Sequence, residues 1–113
     1  MITSGIITSS TITSPETIYT SSGTNAITTI VLCNTGTVDP ADESSDLANV
    51  NIYLVKYTQT PSVANAVVWN LPVPAGETVF FSEERIVLDN GDSVRVGADA
   101  ANLITVTVSS LTV

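Results

Sequence analysis

Ile104-Thr105-Val106-Thr107-Val108-Ser109 alternates a branched apolar side chain with a hydroxyl at every step. That period of two places Ile104, Val106 and Val108 on one face of an extended chain and the hydroxyls on the other, and a helix would scatter both sets. The stretch therefore predicts a strand with one buried face. Residues 103–113 continue the pattern as a last strand or pair of strands.

The same β-branched vocabulary extends upstream. Ile86–Leu88 and Ser93–Gly97 flank Asp89-Asn90-Gly91-Asp92, and Asn-Gly supplies the positive φ of a type I′ turn, so a hairpin is predicted there. Thr78–Phe81 is a further strand. The run Pro72-Val73-Pro74-Ala75-Gly76-Glu77 reads as a turn or edge segment, because its two prolines give no ladder donor. Ala66–Leu71 carries Trp69, and Val50–Tyr57 is predicted to turn Ile52 and Leu54 inward. Ala26–Asn34 is apolar on both faces and suits a central position, with Cys33 as a small buried hydrophobe. Thr17–Thr20 is a short strand. Helical periodicity is nowhere sustained, although 62–67 or 82–85 can hold a single turn.

Seven or eight short strands in 113 residues predict an all-β fold, a two-sheet β-sandwich that is jelly-roll-like or immunoglobulin-like. The sandwich is assigned to residues 17–113. Residues 1–16 repeat an Ile-Thr-Ser theme with little apolar content and are predicted to form an extended N-terminal arm. Such an arm can add as a strand to a neighbour's sheet edge, with Ile2, Ile6, Ile7 and Ile12 as its contact residues. A loose tail is the alternative.

Composition restricts the chemistry. The chain has no histidine, one cysteine and three basic residues, Lys56, Arg85 and Arg95, with a net charge of −8. No imidazole is present to activate a serine and no Gly-x-Ser-x-Gly elbow occurs, so the chain is not expected to be an enzyme. Its charge repels nucleic acid and anionic membranes. No stretch approaches the roughly 20 apolar residues of a spanning helix, and the first residues lack the basic and apolar regions of a secretory signal. A soluble protein without cofactors is expected.

Three clusters invite chemistry. Asp39, Asp42, Glu43 and Asp46 offer the oxygens of a hard-cation site, but the spacing is not that of an EF-hand loop, and a solvated loop is the simpler reading. Glu83 and Glu84 resemble a glycosidase pair, yet strand neighbours point to opposite faces. Arg85 and Arg95 are better placed for ionic contacts within the domain or across a subunit boundary. Trp69, Tyr53, Tyr57, Phe80 and Phe81 can be read as a sugar platform or, more simply, as core and interface anchors.

The order of Ile18-Tyr19-Thr20, Ile27-Thr28-Thr29-Ile30-Val31-Leu32-Cys33-Asn34-Thr35, Ile52-Tyr53-Leu54-Val55, Ala75-Gly76-Glu77-Thr78, Ile86-Val87-Leu88-Asp89-Asn90-Gly91-Asp92 and Val106-Thr107-Val108-Ser109 resembles small structural proteins of tailed bacteriophages, including cyanobacterial and marine phages. The likeness spans nearly the whole domain, and the acidic stretch Asp39–Asp46 is longer than the pattern leads one to expect. The resemblance implies a virion protein made in the host cytoplasm. Its first-choice role is a capsid cement or decoration protein on the outer surface, bound to the major capsid protein or other virion proteins. It would be a homo-oligomer, with a trimer as one solution. A neck, tail or baseplate adaptor or fibre module is the second reading. A carbohydrate-binding module is the third.

Overall fold

The computed structural model describes residues 1–82 and 86–113. The expectations for Glu83, Glu84 and Arg85 lie outside the described residues. Among those described, the chain forms nine strands: β1 (Ile2–Ile6), β2 (Glu16–Thr20), β3 (Asn25–Asn34), β4 (Ala48–Val55), β5 (Ala66–Val73), β6 (Thr78–Phe81), β7 (Ile86–Leu88), β8 (Ser93–Ala98) and β9 (Ile104–Thr112). One 3-10 turn, Val63–Asn65, precedes β5 and is capped by the Ser62 hydroxyl.

Sheet A has the order β1-β9-β3-β6, with β7 also on β3, and sheet B the order β2-β8-β4-β5. Every pairing is antiparallel. The pairs nest: β1 with β9, β2 with β8, β3 with β6 and β7, β4 with β5. A long antiparallel ribbon rolled around a core produces that nesting, so of the two expected sandwiches this is the jelly roll.

Alternation along the strands makes the core. Ile104, Val106 and Val108 of β9 and Ile30 and Leu32 of β3 face Val50 and Ile52 of β4 and Val94 and Val96 of β8, all buried. Each such side chain contributes about 1.5–3 kcal/mol by leaving water. The predicted inward turn of Ile52 holds, Leu54 packs beside it, and β3 is central as its two apolar faces suggested.

The N-terminal arm is a correction. Residues 2–6 are the edge strand of sheet A, with Ile2 opposite Ser109 and Ile6 opposite Thr105. Ile7 is fully buried, its N–H donating to the Ile104 carbonyl at 2.9 Å while its own carbonyl accepts from Asn102 at 2.8 Å. One buried isoleucine and a ladder to β9 hold the segment in place. Ile7 is therefore core and offers no contact surface.

The hairpin is a second correction. β7 pairs with β3 in sheet A and β8 with β2 and β4 in sheet B, so Asp89–Asp92 crosses between sheets. Gly91 has φ +90° while Asn90 stays outside the positive region, and the Asp92 N–H donates to the Asp89 carbonyl at 3.1 Å. Those features define a type II turn, which needs glycine only at its third position. A Cβ on Gly91 would also collide with the Tyr57 ring. Cys33, read as buried, is half-buried and pairs in register with Thr105 and Thr78 on the outward side of sheet A.

Candidate interaction surface

The outer face of sheet A follows from register. Buried Val106 and Val108 point inward, so Thr105, Thr107 and Ser109 point out, and their cross-strand partners share that side. One row runs Phe80, Val31, Thr107, Ser4; the next runs Thr78, Cys33, Thr105, Ile6. A third joins Val87, Ala26 and Leu111. No strand of sheet A contains a charged residue. Phe80 is nevertheless 65% exposed, Leu111 61% and Val87 60%, and Ile2 and Ile6 are exposed along β1. The face has relief: large side chains stand on β1, on β6 and β7 and, as Leu111, at the end of β9, and shorter, half-buried Val31, Cys33, Thr105 and Thr107 line β3 and β9 between them.

Sheet B's outer face carries cover from its own chain. The connection from β1 to β2 lays the Ile12 carbonyl against Gly97, where a Cβ would strike it. Glu16 fastens that connection: its Oε1 accepts from Thr8 N at 2.8 Å, Thr8 Oγ1 at 2.7 Å and Ser9 N at 2.8 Å. The Thr8 hydroxyl chiefly holds the carboxyl below the ordinary glutamate value; partial desolvation opposes it and the Ser9 and Thr8 N–H groups assist.

Beside Gly97, Asn51 is fully buried. Its Nδ2 donates to the Tyr53 hydroxyl at 3.0 Å and its Oδ1 accepts from Asn70 N at 2.7 Å, Asn70 being left-handed at φ 51°. Trp69 meets Tyr53 edge-on, with centroids 6.4 Å apart and planes at 83°. Arg95, opposite Tyr53 in register, donates from Nε to Ser93 Oγ at 3.1 Å.

Of the predicted interface residues, Ile12, Trp69 and Arg95 thus gather on sheet B, Ile2 and Ile6 lie on the edge of sheet A, Ile7 is buried, and Arg85 lies outside the described residues. The aromatic residues do not stack into a platform. Tyr53 is buried, Trp69 turns its edge to it, Tyr57 packs on Gly91, and Phe80 sits on the other sheet.

The acidic loop is occupied with its own turns. Asp39 Oδ1 accepts from Ala41 N at 2.9 Å, Asp42 Oδ1 from Ser44 N at 3.0 Å and Ser44 Oγ at 2.7 Å, and Asp46 Oδ2 from Thr37 N at 3.0 Å. The Ser44 hydroxyl, with the Ser44 N–H, draws the exposed Asp42 carboxyl below its ordinary value. A hollow of about 500 Å³ separates this loop from Pro74 and Glu77. Among the described residues no three His, Cys, Asp or Glu side chains converge as metal ligands, and no helix is long and apolar enough to cross a membrane.

The sequence reading missed the uncharged sheet face. Its signal was the absence of Asp, Glu, Lys and Arg from the strands that became β1, β3, β6, β7 and β9. Comparison of the chain with protein-family profiles, curated proteins and solved structures found no match.

Proposed function

We propose that this protein is a non-enzymatic assembly component of a virion, with a capsid decoration or cement protein on the outer surface of a tailed phage as the first choice. The outer face of sheet A carries the reading: in a molecule of net charge −8, the strands of one sheet, among the described residues, carry no charged side chain and expose Phe80, Val87, Leu111, Ile2 and Ile6. Several large apolar side chains exposed on one uncharged sheet face of a small domain mark a place where another protein sits. Jelly rolls serve in capsids and lectins alike, so the fold is support by analogy only.

The charge supports an outer position, since carboxylates gain nothing by facing packaged DNA. The partners are then the major capsid protein, other virion proteins and sister subunits. Quantitative mass spectrometry of purified particles tests the reading. Hundreds of copies per particle are expected of a cement. About a dozen would move the protein to the neck, tail or baseplate, and none would overturn the virion reading.

A further inference from the structure

We infer that the outer face of sheet A is the contact between two copies of this chain, packed face to face about a twofold axis. The inference rests on the reading of that face as protein-covered and adds the identity of the occupant.

Relief is the first argument. Phe80 stands as a ridge beside the trough of Val31, Cys33, Thr105 and Thr107, and Val87 stands farther along β3 beside Ala26. A ridge next to a trough is self-complementary under a twofold operation: the ridge of each copy enters the trough of the other, and both are filled at once. A flat face would impose no such register.

Charge is the second argument. In the described residues every carboxylate belongs to a connection or to β2, and Arg95 belongs to β8 of sheet B. Stacked sheets lie about 10 Å apart, and sheet B stands a further ~10 Å behind each. Glu16 and Arg95 are then about two screening lengths from the opposing copy at physiological salt. Among the described residues, the strands of two such faces can thus meet without desolvating a charged side chain, and a partner that relied on basic residues would find no carboxylate on those strands to receive them.

Area is the third argument. β1, β9 and β3 have 5, 9 and 10 residues and β6 and β7 have 4 and 3, a plan of about 500 Å² before side-chain relief is counted. That approaches the roughly 600 Å² per partner at the low end of specific interfaces.

Sedimentation velocity of the full chain across a dilution series reads the association, with Thr107→Glu placing a carboxylate at the centre of the trough and Phe80→Ala shortening the ridge. Wild-type protein is expected to sediment as a dimer. Either variant should raise the dissociation constant about thirtyfold or more, with an unchanged far-ultraviolet spectrum.

A readout without mutation is the rate of maleimide labelling at Cys33, which should fall as protein concentration rises. A wild-type monomer at a few hundred micromolar would overturn the inference. So would a dimer indifferent to both variants with labelling independent of concentration. Copy number in virions is measured separately, so a monomeric chain found in hundreds of copies per particle would remove the self-contact and leave the decoration role standing.

Discussion

Two sheets built from the same residues treat their outer faces in opposite ways. Sheet B is dressed by its own chain: Ile12 lies over Gly97, Asn51 is sealed beneath by Tyr53 and Asn70, and Trp69 leans on Tyr53. Sheet A is bare: among the described residues its strands carry no charged side chain, and Phe80, Val87 and Leu111 stand in water. A chain that folds alone covers what it must for its own stability. Sheet B's cover thus belongs to folding, and on the function proposed above sheet A's bareness belongs to assembly.

The contrast breaks most readily at Gly97. Gly97→Val drives two methyl groups into the Ile12 carbonyl and should lift the connection off sheet B at a cost of about 3 kcal/mol. Urea unfolding would read the loss and Trp69 fluorescence the exposure. A stability change under 1 kcal/mol would mean that the cover is ornamental.

Asn51→Ala leaves the Tyr53 hydroxyl and the Asn70 N–H without their partner in a closed site, and about 2 kcal/mol should be lost. Differential scanning calorimetry is sufficient to see it.

Glu16 gives a smaller, pH-dependent effect. Its carboxyl is depressed in the folded state, so its contribution is present above the unfolded glutamate value and fades as pH falls through the folded one. Melting temperature followed from pH 6 to 3 should decline, and Glu16→Gln should flatten part of that decline. Parallel curves for the two proteins would deny the clasp.

On sheet A, Thr107→Ala should change unfolding free energy by less than about 0.5 kcal/mol, whereas its strand neighbour Val106, facing the core, should cost about 2 kcal/mol as alanine. Equal losses at both positions would mean that the outer face serves the fold.

Most of the fold was legible because its signals are local. Alternation put Ile104, Val106 and Val108 on one face and turned Ile52 and Leu54 inward, and the structure keeps both. Along Ala26–Asn34 a bulge between Ile27 and Thr29 brings Ile27 to the buried side with Ile30 and Leu32, which strict alternation separates, and Cys33, expected buried, is half-buried. Two features were not legible. β1 is secured by pairing with a strand more than a hundred residues away, as in Ile2 with Ser109, and no local pattern of Ile, Thr, Ser and Gly announces that partner.

Asn90-Gly91 fits both a type I′ and a type II turn, and the choice was made by Tyr57 packing on Gly91 and by Asp92 Oδ1 accepting from Tyr57 N at 3.0 Å. The candidate face was hardly legible. Ile2 and Ile6 were expected as contacts of a free arm and not of this face, and Phe80, Val87 and Leu111 come together only through the register of four different strands.

Hydroxyl-radical footprinting of both outer faces, in dilute free protein and in the assembled state, tests the central claim most directly. Phe80 and Leu111 should be oxidised several-fold more slowly once assembled, while Trp69 and Tyr57 keep their free-state rates. Unchanged rates at Phe80 and Leu111, or protection confined to Trp69, would contradict the assignment of sheet A as the assembly face.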